Sequence, residues 1–198
     1  MKGCRPLTRR EVKSLINSAS SSIRDMALIT LGFCTGYRIS ELLSLCLSDV
    51  VDSKGRIYDS VSVKAANMKT GVGRTVRLNS DAMKALGKLT AARFKTGASL
   101  SDPLFISRKS NNDGELKAIS RVQAWRIIQV LCELADVVVK GVGTHSLRKT
   151  FAARIYEAVK GELGKVQIAL GHANIGSTIS YLSFQQSDID AAILGIKL

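Results

Sequence analysis

Histidine is almost missing from this chain, which holds only His145 and His172 among 198 residues. Acidic residues are also scarce, 16 against 29 lysines and arginines, and the resulting net charge of +13 disfavours a basic partner or a cationic substrate. Cys4, Cys34, Cys46 and Cys132 are scattered and none stands in a Cys-x-x-Cys pair, so neither a zinc ribbon nor a dithiol redox centre is written into the sequence. They read as reduced thiols, with Cys34 and Cys46 in apolar stretches where free cysteine packs as a small hydrophobe. No run is long and apolar enough to span a bilayer, and Met1-Lys2-Gly3-Cys4-Arg5-Pro6 lacks the apolar core of a secretory signal. A cytoplasmic location without membrane attachment is therefore expected. Internal repeats and low-complexity tracts are absent as well.

What is present is a chain long enough to bury one self-sufficient core, basic enough to favour a polyanion. Thr8 followed by Glu11 is a capping box, and it predicts a helix over residues 9–17. Residues 23–34 are apolar on most sides, the mark of a central buried helix, and Thr35-Gly36 interrupts them. A third helix is expected over residues 37–45 from Ile39, Leu42, Leu43 and Cys46. Between residues 50 and 78 the apolar period falls to two, with a turn at Thr70-Gly71-Val72-Gly73, which predicts a small antiparallel sheet ending in a hairpin. Helices resume over residues 80–94, 120–135, 145–159, 163–170 and 175–184, and Thr144 is the expected N-cap of the third of these. Residues 96–117 read as loop. The fold class is α+β, mainly α-helical, with a minor antiparallel sheet, in one domain over residues 1–198.

Several side chains suit the chemistry of a phosphodiester, whose transition state spreads negative charge over its non-bridging oxygens and needs fixed cations. Arg38 follows the break at Thr35-Gly36, and Glu41, three residues on, lies on the same helical face and can hold the guanidinium. Read alone, this pair is more readily an ordinary surface ion pair, since exposed pairs are common and weak. His145 and Arg148 stand at i and i+3 on one helix and can converge on one ligand. His172 follows Leu170-Gly171, where a helix-terminal cap is the plainer reading, and Tyr181 comes nine residues later. A phenol with an ordinary pKa of about 10 needs cations or a histidine beside it to act as a nucleophile. Lys69, in Met68-Lys69-Thr70-Gly71, sits at the hairpin turn, where a solvated lysine is common but a phosphate contact is within reach. Lys64, Arg74, Arg77, Lys109, Arg121 and Arg126 are further basic residues able to contact phosphates.

Taken in order, Gly36-Tyr37-Arg38-Ile39-Ser40-Glu41-Leu42, Met68-Lys69-Thr70-Gly71, His145-Ser146-Leu147-Arg148, Leu170-Gly171-His172 and Tyr181 resemble the catalytic domain of tyrosine recombinases, the phage-integrase family. The resemblance covers residues 7–193. It implies a catalytic set of Arg38, Lys69, His145, Arg148, His172 and Tyr181, supported by Glu41, acting on double-stranded DNA through a 3′-phosphotyrosyl intermediate without cofactor or metal. It also implies self-association into a tetramer on DNA, through a C-terminal exchange helix over residues 188–198 bearing Ile189, Ile193 and Ile196, with accessory DNA-bending proteins as further partners. The family's N-terminal DNA-clamping domain has no counterpart before Leu7. The chain therefore resembles either an excised catalytic domain or the compact single-domain fimbrial inversion enzymes. Two rival readings are a type IB topoisomerase-like nicking and religating enzyme and a DNA-binding regulator that does not cut.

Overall fold

The computed structural model describes residues 3–68, 71, 73–107, 116–182 and 193–194. Helix α1 (Arg9–Ser18) opens on the expected capping box: the Glu11 amide donates to Thr8 Oγ1 at 3.2 Å and Glu11 Oε2 accepts the Thr8 amide at 2.8 Å. Helix α2 (Ile23–Thr35) is the central element, and its residues from Ala27 to Phe33 are buried on every side, as its apolar composition predicts. One face joins Leu28 and Leu31 to a core with Leu42, Val61 and Leu86. The opposite face joins Ile29 and Phe33 to a second core with Leu15, Ile128 and Leu147.

Helix α3 (Ile39–Leu43) precedes strands β1 (Ser60–Val63) and β2 (Arg74–Arg77), which pair antiparallel with Val61 opposite Val76 and Val63 opposite Arg74. Helices α4 (Ser80–Lys95), α5 (Arg121–Leu134), α6 (Thr144–Ala158), α7 (Leu163–Leu170) and α8 (Ile175–Ile179) complete the chain order. A third, smaller core of Phe151, Ala152, Val166, Leu170 and Leu182 ties α6 to α7 and to the segment after α8. The mainly helical α+β fold with a minor antiparallel sheet is as the sequence predicts.

Boundaries differ at α3, α6 and α8; α8 stops at Ile179, with residues 180–182 non-helical, where the sequence predicts a helix over residues 175–184. Helix α3 is shorter than expected because Tyr37 and Arg38 are not helical: Arg38 has extended backbone (φ −66°, ψ 152°) and serves as the N-cap, its amide bonding the Glu41 carboxylate at 2.8 Å. Helix α6 begins at Thr144 itself, with Gly143 as N-cap donating its amide to Ser146 Oγ at 3.1 Å, so Thr144 is not the cap. Lys69 lies outside the described residues, as do Ile189 and Ile196, so the expected exchange helix over residues 188–198 is described only at 193–194, where Ile193 is exposed. Among the described residues no helix is long and apolar enough to cross a membrane.

Candidate active site

Two helix ends meet at the centre of the molecule. Helix α2 ends on Gly36 at φ +61° and helix α7 on Gly171 at φ +62°, the left-handed conformation that glycine adopts without a Cβ clash. Such a turn leaves the last carbonyls of each helix without intrahelical donors and concentrates the negative end of the helix dipole there. Arg148, on α6, fills both needs at once: Nη1 donates to Gly36 O at 2.5 Å and Nη2 to Leu170 O at 2.7 Å. Its side chain is only 1 % exposed. Burial, then the fields of Arg38 and Arg74, lower its pKa, yet a guanidinium retains its charge at neutral pH. Two of its five N–H groups are used by these bonds, which leaves donors for an anion.

Each helix end is followed within two residues by another functional candidate. After Gly36 comes Arg38, whose Nη1 donates to Glu41 Oε1 at 2.6 Å. Glu41 is fully buried while the Arg38 side chain is 20 % exposed, so the surface-pair reading fails: the carboxylate is an internal anchor and the cation faces the opening. After Gly171 comes His172, 8 % exposed, whose Nδ1 lies 3.0 Å from Thr178 Oγ1. Burial, then Arg148, Arg38 and Arg74, push its pKa down to about 4, so the imidazole is neutral at pH 7. The Tyr181 ring packs edge-on against His172, centroids 5.0 Å apart, with the Arg148 guanidinium 5.7 Å and the Lys149 ammonium 5.9 Å from the phenol ring centre. His145 stands at the exposed rim, and partial desolvation followed by Arg148, Arg38 and Lys149 lowers its pKa too.

The fold thus gathers Arg38, Glu41, His145, Arg148, His172 and Tyr181, drawn from α3, α6 and the segments around α7 and α8. Such a cluster of fixed cations, a neutral imidazole and a phenol can bind a singly charged phosphodiester and offer it a nucleophile. The sequence profile of the phage integrase family matches residues 5–187, nearly the whole chain. The chain belongs to the phage integrase family. Among members, it is 29% identical over 189 residues to the tyrosine recombinase XerC of Caldanaerobacter subterraneus subsp. tengcongensis, covering 94% of this chain and 49% of that one. It is 32% identical over 181 residues to the type 1 fimbriae regulatory protein FimE of Escherichia coli K12, covering 89% of this chain and 84% of FimE. The crystal structure of XerA recombinase superposes with a TM-score of 0.78 at 27% identity, covering 100% of this chain and 66% of that one. The chain spans about half the length of XerC, as it does of XerD relatives.

Three residues of the site escape a motif search of this integrase-family chain. Arg74 reads in the sequence as one more phosphate contact on a strand, but the structure buries it beside Arg148. Thr178, in α8, is fully buried, and its hydroxyl reaches back to His172 on the segment between α7 and α8. Lys149 adjoins Arg148 in sequence, and only the helix geometry turns its ammonium toward Tyr181. The Thr178 carbonyl also accepts the Tyr181 amide at 3.0 Å, so the residue that touches His172 lies one turn before the phenol.

Proposed function

We propose that this protein is a site-specific DNA recombinase of the tyrosine type. Tyr181 attacks a DNA phosphate in line, its oxygen forming the new bond to phosphorus as the bond to the 5′ oxygen breaks. The product is a 3′-phosphotyrosyl link and a free 5′ hydroxyl, protonated by Lys69. Arg38 and Arg148 neutralise the charge that develops on the non-bridging oxygens, and Glu41 fixes the Arg38 fork. His172 is neutral at pH 7; when Thr178 donates to Nδ1, Nε2 carries the proton and donates to the phosphate. His145, with its depressed pKa, takes up the phenolic proton or places the phosphate. A second DNA end then attacks the covalent link, and two such rounds exchange strands. The phosphotyrosyl bond conserves the energy of the phosphodiester, so religation needs no nucleotide.

The single observation that carries this reading is the edge contact of Tyr181 on neutral His172, with the Arg148 guanidinium beside the same ring. A positively charged chain, +13 overall, matches the DNA substrate. Recombination joins two duplexes, so the working form is a tetramer on DNA in which Ile189, Ile193 and Ile196 of one copy dock on its neighbour, with accessory DNA-bending proteins where the sites lie far apart. Incubation with a genomic DNA pool, followed by recovery of covalently held fragments, tests the proposal. The expected product is a set of fragments sharing one short sequence and linked through Tyr181. Fragments bound tightly but released intact by detergent would overturn it in favour of a binding protein.

A further inference from the structure

We infer that Arg74 is a positioning residue of this site: with Arg148 it forms a two-guanidinium clasp that locks the ends of α2 and α7 together and so sets where Arg148 and His172 meet a phosphate. The inference rests on the function proposed above. Arg74 Nη1 donates to Ala169 O at 2.8 Å and Nη2 to Thr35 O. Arg148 takes the very next carbonyl in each helix, Leu170 O and Gly36 O. Two successive carbonyls from each helix end, Thr35 O and Gly36 O in one and Ala169 O and Leu170 O in the other, are thereby held by two guanidinium forks.

Placing two guanidiniums close together in a protein interior costs free energy, and Arg74 is among the causes that lower the Arg148 pKa. The arrangement is stable because it lies where two helix dipoles direct their negative ends. Burial is the main cause that lowers the Arg74 pKa, with Tyr37 and Glu41 acting against it. The Tyr37 ring also supports Arg74 from below, the guanidinium carbon 4.4 Å from the ring centre, and Tyr37 Oη bonds the Arg74 carbonyl at 2.6 Å. Arg74 therefore fastens strand β2, the end of α2 and the end of α7 to one point. Arg74 makes the same two carbonyl bonds as Arg148 but lies against the buried Tyr37 ring, whereas Arg148 lies beside the Tyr181 ring, so Arg74 acts through Arg148 and His172 instead of touching substrate. A lysine would keep the charge but offer one ammonium where two separated carbonyls need a fork.

The test uses Arg74→Lys and Arg74→Met in the full chain, with a nicked duplex recovered from the genomic pool as substrate, at a temperature well below either variant's midpoint of unfolding. Single-turnover formation of the Tyr181 adduct should slow about 10- to 100-fold in both variants, while DNA affinity changes less than about 3-fold. The His172 imidazole, followed by NMR, should titrate unchanged in Arg74→Lys and at higher pH in Arg74→Met, which separates lost charge from lost geometry. Wild-type cleavage by folded Arg74→Lys would overturn the clasp, even if Arg74→Met does not fold. Equal losses of affinity and cleavage would overturn it too, by making Arg74 a direct phosphate contact. A wild-type chain that binds the duplex without forming the adduct removes the functional reading itself, and the inference with it.

Discussion

The ends of α2 and α7 share one construction and differ in what surrounds it. Both finish on a left-handed glycine, both give their last carbonyls to Arg74 and Arg148, and both are followed at once by a residue proposed for chemistry. The α2 end is tightly embedded, with Thr35 and Tyr37 buried and Gly36 against the Phe151 ring, and it delivers a permanent cation whose carboxylate partner is sealed inside. The α7 end rests on the small third core and delivers an imidazole and a phenol, groups whose protonation the site must change during a reaction. The lesson is a division of labour: the Arg38 cation is anchored by a fully buried carboxylate, while the imidazole and phenol that move protons rest on the smallest core.

The sharpest way to break this comparison is Tyr181→Phe, on the α7 side. Adduct formation should vanish entirely while DNA affinity stays within about 3-fold, since only the nucleophilic oxygen is removed. Equal loss of binding and cleavage would assign the hydroxyl a structural role. Arg148→Met attacks the element common to both ends. It strands Gly36 O and Leu170 O, each buried acceptor costing roughly 1–3 kcal/mol, and urea unfolding should show a fall in stability of that summed order.

A pair of glycine substitutions separates the ends directly. Alanine at Gly36 would overlap the Phe151 ring besides adopting a left-handed backbone, so Gly36→Ala should cost about 2–5 kcal/mol. Alanine at Gly171 would meet Cδ of the clasped Arg74 at 3.0 Å, a far milder approach than the overlap with the Phe151 ring at Gly36, so Gly171→Ala should cost only about 1–2 kcal/mol. Similar losses at both positions would contradict the unequal embedding.

The smallest effect is in pH dependence. His172 has a folded pKa of about 4 against an ordinary value of about 6.5, so between these values the unfolded chain binds a proton that the folded chain refuses. Stability is therefore unaffected by this group above pH 6.5 and declines as pH falls toward 4, by about 1–2 kcal/mol at pH 5. His145, lowered in the same direction, adds to the slope, while Glu11, lowered from 4.5 to about 2, contributes its own loss mainly below pH 4.5. Urea unfolding at pH 7 and pH 5 should show a shallower slope in His172→Gln than in the parent chain.

Much of this was legible from the residues alone. The Thr8-Glu11 box, the all-apolar α2 and the period-two stretch before Leu78 carry local signals, and their elements lie where those signals put them. Arg38, His145, Arg148, His172 and Tyr181 could be picked out because family motifs mark them one by one. Arg74 could not: its burial is caused by helix ends far from it in sequence, and a lone arginine on a short strand gives no sign of them. The same holds for Thr178, whose bond to His172 needs the α7–α8 turn to exist first. The burial of Glu41 was likewise invisible, since an i, i+3 pair reads the same on a surface as in a core.

The most direct test of the account is a crystal structure of the protein on a nicked duplex of its own site with vanadate in place of the reacting phosphate. The expected result is a bond from vanadium to Tyr181 Oη, with the Arg38 and Arg148 guanidiniums and His172 Nε2 on the equatorial oxygens and Arg74 still clasping Thr35 O and Ala169 O. Vanadate held without Tyr181, or guanidiniums of Arg38 and Arg148 turned to different surfaces, would contradict it.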